Sequence, residues 1–231
     1  MKTLVGIDFS LNSPAFCVFR DNEFTWGSLT RSERTPESLK KNTKKPYHIL
    51  SEDKSEDYVL LFMGKDKMPK DYSERERIKI DYFQDLVDEL WSEIEDICGG
   101  DDVIVAMEGL SFASNGNALI DISMATALLR KKIVDHTGSD NFYVYSPTSI
   151  KKFAFKGNAK KHELYNALVE KEFLETNLKS FTNILDDNKD EWITPSGNVN
   201  KPLDDIIDAT WTCLYLYDSI KEKSEKEKSE N

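Results

Sequence analysis

Cysteine is scarce in this 231-residue chain. Cys17, Cys98 and Cys213 stand alone with no Cys-x-x-Cys pair, so neither a zinc site nor a disulfide framework is expected. His48, His136 and His162 show no metal-ligand spacing, and no Ser/His/Asp pattern accompanies them. No apolar run approaches the ~18 residues of a membrane span. The opening MKTLVGIDFS turns polar too soon for a secretory leader. A basic excess is also missing: 31 Lys and Arg face 42 Asp and Glu, for a formal charge of −11. That excludes a simple basic nucleic-acid coat protein, but not an enzyme that meets nucleic acid through a local patch. What is present is a core, since 39% hydrophobic and 11% aromatic content rules out wholesale disorder. The expectation is a reduced, soluble, cytoplasmic protein without a membrane partner.

The pattern of elements points to one α/β domain over residues 1–222. TLVGID at 3–8 reads as a strand that stops at an acid, and AFCVFR at 15–20 and EFTWGSLT at 23–30 read as a hairpin turned at Asp21-Asn22. YVLLFMG at 58–64 is a further strand candidate. Phe83, Leu86, Val87, Leu90, Ile94 and Ile97 recur at helical spacing within a helix expected over 71–98, with Ser73 and Glu76 as a capping box and Gly99-Gly100 as its end. DVIVAMEG at 102–109 is apolar on both faces, as in a central strand covered on both sides. A helix over 117–134, a buried strand at 142–147, a helix over 160–174 and a last helix over 203–222 follow. Residues 31–56 and 176–201 read as loop insertions, and 223–231 as a disordered charged tail. This order implies a mixed sheet with helices on its faces.

Carboxylates interrupt the apolar pattern in three places. Asp8 ends the first strand, Glu108 sits near the end of the most hydrophobic strand, and Asp204, Asp205 and Asp208 open the last helix. A carboxylate at a buried strand end is costly unless it is paired or bound to a cation. Mg²⁺ prefers oxygen donors, held by one or two carboxylates plus water and substrate phosphate. Each group has an ordinary explanation when taken alone: a turn residue for Asp8, and a favourable helix-dipole contact for the three aspartates. Their joint occurrence favours a metal site. Asp205 with Asp208 (i, i+3) and Asp204 with Asp208 (i, i+4) are equally good neighbours, and spacing does not choose between them.

Together these motifs resemble the RuvC-type Holliday-junction resolvases, within the RNase H-like nucleases. GIDFS at 6–10 is similar to the family's first strand, whose aspartate binds metal, which points to Asp8. VIVAMEGLSFASNGNAL at 103–119 resembles the strand with the catalytic glutamate, pointing to Glu108, with Phe112 one residue out of phase with a junction-contacting aromatic and Asn115 after it. YSPTSIKKFAFKGNAKKHEL at 145–164 resembles a Pro-containing turn and lysine-bearing helix start; Lys161 matches one family lysine and Lys151 the earlier one. LDDIIDATWTCLY at 203–215 resembles the closing Asp-x-x-Asp-Ala helix, which selects Asp205 and Asp208 over Asp204.

The resemblance implies an RNase H-like α/β fold, a mixed five-stranded sheet with helices on both faces. It also implies Mg²⁺-dependent cleavage of branched DNA by two ions, with Mn²⁺ able to substitute. Asp8, Glu108, Asp205 and Asp208 would be ligands, and Lys161 would neutralise the phosphate. A homodimer is implied too, and the stripe Ala118, Ile122, Ala125 and Leu129 could serve either its contact or the core. The two insertions and the acidic balance would suit a phage or viral member working in its host's cytoplasm.

Five lysines (151, 152, 156, 160 and 161) and no acid lie between Ile150 and His162, a strip suited to phosphate. Phe153 and Phe155 read there as core residues of a strand. Arg130 to Lys132 and Lys40 to Lys45 are further basic groups. Three competitors remain on this scaffold. One is a nuclease of flaps or RNA–DNA hybrids, and one is a non-catalytic DNA-binding protein, against which the four acids speak. The last is an actin-like or sugar-kinase ATPase, which GIDFS also resembles, but which needs a second such domain that 231 residues without a repeat do not supply.

Overall fold

A computed structural model describes residues 2–32, 57–64, 67–110, 116–173 and 176–230. Strands β1 (Thr3–Asp8), β2 (Ala15–Arg20) and β3 (Glu23–Ser32) form an antiparallel meander, and β4 (Tyr58–Gly64) adds parallel to β3. β5 (Val103–Glu108) and β6 (Phe142–Tyr145) continue the sheet in parallel on the other side of β1, giving the order β4-β3-β2-β1-β5-β6. This is a mixed α/β sheet of the RNase H-like kind, with six strands rather than five: the 58–64 run supplies the additional edge strand. Asp21 and Asn22 both take positive φ in the β2–β3 turn, the backbone a tight two-residue hairpin demands.

Two helices cover one face. α1 (Tyr72–Cys98) buries Phe83, Leu86, Val87, Leu90, Trp91 and Ile94, and packs with α2 (Gly116–Thr137) over Val5, Ile7, Phe16, Val18, Val105 and Met107. Its N-cap is Asp71, which accepts from the Glu74 N–H, rather than Ser73; the helix starts two residues earlier, on an Asp in extended backbone. Gly99 ends it in the left-handed conformation. Along the stripe open to two readings, Ala125 and Leu129 are buried, Ile122 is half-buried and Ala118 is exposed.

The opposite face carries α3 (Pro147–Ala154), α4 (Lys161–Val169), α5 (Leu178–Asp187), the one-turn α6 (Lys189–Trp192) and α7 (Leu203–Glu230). Helix α7 lies across β1 and is sealed in by its neighbours, so that Ile206, Ile207, Ala209, Trp211, Cys213 and Leu214 are all buried. Gly6 permits this approach. A Cβ there would fall 2.4 Å from the Ala209 carbonyl oxygen and 2.4 Å from the Cys213 nitrogen, both backbone atoms of α7.

Several expectations change on this face. The 176–201 stretch is not a loop: it forms α5 and α6, buries Phe181, Leu185 and Trp192, and is tied to the sheet by Asn177, whose amide bonds both backbone groups of Phe24 at 2.7 and 2.8 Å. Residues 150–154 are helical, not a strand, because Ser146 caps α3 and Pro147 opens it. Phe153 packs on Trp211 and Tyr215, whereas Phe155 is 59% exposed and so is no core residue. β6 is a half-buried edge strand rather than a buried one. The 223–230 tail continues α7 as helix, consistent with a Lys/Glu composition that propagates a helix and sets unlike charges four residues apart. The 33–56 part of the first insertion lies outside the described residues, as do Lys40 to Lys45, Phe112 and Asn115. Among the described residues, no helix is long and apolar enough to cross a membrane.

Candidate functional site

Three chain segments deliver acids to one end of the sheet. β1 and β5 run parallel with Gly6 opposite Ala106 and Ile7 opposite Met107, so they finish side by side on Asp8 and Glu108. Side chains alternate along a strand. Leu4 and Ile104 face α7 from these two strands, and Asp8 and Glu108 share their parity. Backbone pairing holds this end in place, since the Gly109 N–H donates to the Tyr145 carbonyl at 2.8 Å just past Glu108. Above it, the first two turns of α7 present Asp205 (4% exposed) and Asp208 (8% exposed) toward the strands.

These carboxylates feel one another. Burial first, then Asp208 and Asp205, pushes the Asp8 carboxyl well above its usual range, with Lys161 opposing. Glu108 is pushed up to about 7 by burial and by Asp208, against Lys161 and Lys151. Asp208 is raised by burial despite Lys161. Asp204 is raised to about 6 by burial and by Asp205, and its Oδ1 is buried without a hydrogen-bond partner.

Two lysines answer this charge. Lys161, the first residue of α4, bonds the Asp208 Oδ2. Burial alone would lower its pKa, but Asp208 and Asp8 outweigh that and raise it. Lys201, just before α7, bonds Asp205 and the hydroxyl of Ser13, and is raised in the same way by Asp205 and Asp204. Neither Lys201 nor Ser13 stands out in the sequence. The one signal for Lys201 is its i, i+4 spacing to Asp205 at a helix opening; a lone Ser in a turn gives none.

Among the described residues, no three His, Cys, Asp or Glu side chains are gathered into a set that could hold an ion as they stand. The donor set nonetheless suits one. Oxygen-only ligands match a hard divalent cation, and the orphaned Asp204 Oδ1 and the acids raised by burial and by their neighbours describe a negative site short of positive charge.

Of the lysine strip, Lys151 and Lys161 act on the acids, Lys156 pairs with Glu163, and Lys152 and Lys160 are exposed. The second basic group is different: Lys131 and Lys132 pair with Asp135 and Asp88 on the α1–α2 face. His162 is part-buried rather than a surface residue, with its Nδ1 3.2 Å from the Gly197 carbonyl oxygen.

No family model matches the chain, and no curated protein matches it either. Among solved structures it is similar to Thermus thermophilus RuvC at 12% identity, over 91% of this chain and 92% of that one, with a TM-score of 0.43. It is similar to T. thermophilus RuvC in complex with a Holliday junction substrate at 12% identity, over 92% of each chain, with a TM-score of 0.45. A third similarity is to the yeast mitochondrial Holliday junction resolvase Ydc2, at 13% identity over 91% of this chain and 75% of that one, with a TM-score of 0.40. On its own strand order, with β1, β5 and α7 bringing their acids to one end, the chain has an α/β fold of the RNase H-like kind.

Proposed function

We propose that this protein is a divalent-cation-dependent endonuclease of branched DNA, with the four-way junction as its leading substrate. One observation carries the reading: β1, β5 and α7, far apart in sequence, bring Asp8, Glu108 and Asp208 to a single sheet end, where Asp208 pushes up the carboxyls of both Asp8 and Glu108. Folding gains nothing from gathering like charges out of water, unless a cation joins them. Asp8, Glu108, Asp205 and Asp208 would hold Mg²⁺, with Mn²⁺ as a substitute. Such ions, when bound, activate a water toward phosphorus and screen charge on the scissile group.

The chain's own groups do the rest. Lys161, kept protonated by Asp208 and Asp8, offers its Nζ to a non-bridging phosphate oxygen as negative charge builds. Lys151 adds positive potential from the same side. Lys152 on α3 and Lys160 at the start of α4 extend that potential toward neighbouring phosphates, with Lys156 between them paired to Glu163 until DNA binds. Phe112 and Asn115 follow Glu108 in sequence, and their assignment to the junction rests on family resemblance. The homodimer rests on it as well, and gel filtration with light scattering tests it.

The deciding experiment gives the purified chain Mg²⁺ and labelled four-way junction, flap, linear duplex and RNA–DNA hybrid in parallel. Cleavage of the junction in preference to linear duplex, lost in Asp8→Asn and Glu108→Gln, is the expected result. Equal activity of parent and variants overturns the assignment of the acids. Cleavage of the hybrid alone moves the substrate to RNA–DNA.

A further inference from the structure

Lys201 belongs to none of the motifs that carry the family resemblance, yet it holds one of the four acids more completely than any other side chain does. Its Nζ donates to Asp205 Oδ1 at 2.8 Å, to Asp205 Oδ2 at 2.7 Å and to Ser13 Oγ at 3.0 Å. The Ser13 hydroxyl donates in turn to Asp205 Oδ2 at 2.6 Å. Asp205 and Ser13 are each 4% exposed, while the Lys201 side chain is 58% exposed, so the lysine reaches the buried carboxylate from the solvent side. Both carboxylate oxygens are therefore taken, and an ammonium lies where a second cation would meet repulsion. Asp204, the next residue toward the chain start, differs in having a buried Oδ1 with no partner.

The segment that brings Lys201 here is built to do so. His162 contacts the Gly197 carbonyl, the Thr194 N–H donates to the Asn198 carbonyl at 2.8 Å, and Ile193 bridges Val199. Trp192, fully buried, anchors the start of the same excursion. The 176–201 stretch thus ends by placing one positive charge on α7's first turn.

We infer that Lys201 is the resident counter-ion of Asp205. It holds the carboxylate in position while no divalent ion is bound, and a divalent ion reaches Asp205 only by displacing it. Lys201 is a positioning residue here, not a catalytic one. The inference rests on the reading of the four acids as a cation site.

The test needs no DNA and no turnover. Mn²⁺ binding to the metal-free full chain is measured by the loss of the free-ion electron paramagnetic resonance signal, beside calorimetry. Lys201→Met and Lys201→Gln remove the charge, the second keeping a hydrogen-bond donor in case the first does not fold. Both are expected to bind Mn²⁺ roughly tenfold more tightly than the parent, an order-of-magnitude figure for removing a positive charge that competes for the same carboxylate. Lys201→Arg, which keeps the charge, is expected to bind no more tightly than the parent. Neutral variants that bind no more tightly than the parent overturn the inference, and so does an arginine variant that matches them. Asp8→Asn separates the two levels. If it binds Mn²⁺ as the parent does, the cation site itself is wrong; if it loses binding while the Lys201 variants stay at parental affinity, only the counter-ion role is wrong.

Discussion

The two faces of the sheet are built on different terms. Beneath α1 and α2 the packing is mainly apolar: Val5, Ile7, Phe16, Leu90, Ile94, Val105 and Met107 meet there, and the buried polar side chain of α2 among the described residues is Thr126 rather than a carboxylate. Across the sheet, α7 buries a larger apolar set, but it also carries Asp205 and Asp208, the two carboxylates that are fully buried among the described residues. One face therefore stabilises the fold, while the other accepts charge repulsion and desolvation at one end. A folded chain tolerates such a site when the rest of its core makes up the deficit. Mutations on the two faces should then separate activity from stability.

The largest effect is expected at Asp8. Asp8→Asn should lower junction cleavage by two to three orders of magnitude or more, on the scale of losing one electrostatic group from a water-excluded site. The same change should stabilise the metal-free protein at pH 8 by about 1 kcal/mol, read as a higher urea midpoint, because one of the crowded like charges is gone. Leu90→Ala reverses the pattern. It should cost 2–5 kcal/mol, roughly the range for emptying a packed leucine site, and leave cleavage per folded molecule unchanged at 25 °C. A leucine variant that loses its specific activity while still folded would break the division between faces.

How legible each face was follows from the same contrast. The α1 stripe from Phe83 to Ile94 and the run VIVAM are read from periodicity alone, because apolar burial is what periodicity records. The placement of Asp8, Glu108 and Asp208 at one end was legible as three interruptions of that pattern; the choice of Asp205 over Asp204 rests on motif order alone. What stayed hidden depended on tertiary contact. Residues 178–192 are polar in composition yet helical, because Phe181, Leu185 and Trp192 find a surface that only the folded β2–β3 hairpin and α4 supply. Phe155 looked like core beside Phe153, but α3 ends between them and turns Phe155 outward. Lys201 and Ser13 meet Asp205 across 4 and 192 residues, and the longer of these has no local signature.

A pH titration sharpens the comparison next. Asp8, Glu108, Asp204 and Asp208 all hold folded pKa values above their ordinary ones, Asp204 at about 6 and Glu108 at about 7. The folded state therefore binds more protons than the unfolded chain between about pH 4 and pH 7. Stability from these groups is fully present below about pH 4 and is lost as pH rises through their folded values. Lys161 and Lys201, also raised, lose theirs only above the ordinary lysine range and do not act in this window. Thermal melts of metal-free protein from pH 5.5 to 8 should show a falling midpoint, and 10 mM Mg²⁺ should flatten that slope by favouring the ionised acids. The slope should survive in Leu90→Ala and shrink in Glu108→Gln. A slope unchanged by Glu108→Gln would mean that the repulsion at the sheet end is not what sets it.

The smallest effect belongs to the exposed lysines, and it asks whether positive potential on the α7 face is matched on the other. Lys152 and Lys160 are exposed, each next in sequence to a lysine that acts on the acids, whereas Lys131 and Lys132 are paired with Asp135 and Asp88 on the α1–α2 face. A lysine on a phosphate releases counter-ions, so removing it lowers the salt slope of binding by roughly 0.9 for duplex DNA. Lys152→Ala and Lys160→Ala should each do this when junction binding to Asp8→Asn protein is followed from 50 to 200 mM salt. Lys131→Ala and Lys132→Ala should leave the slope where it was, because their charge is already answered within the fold. Equal slopes for all four variants would place DNA on both faces, and the separation of a binding face from a stabilising one would no longer hold.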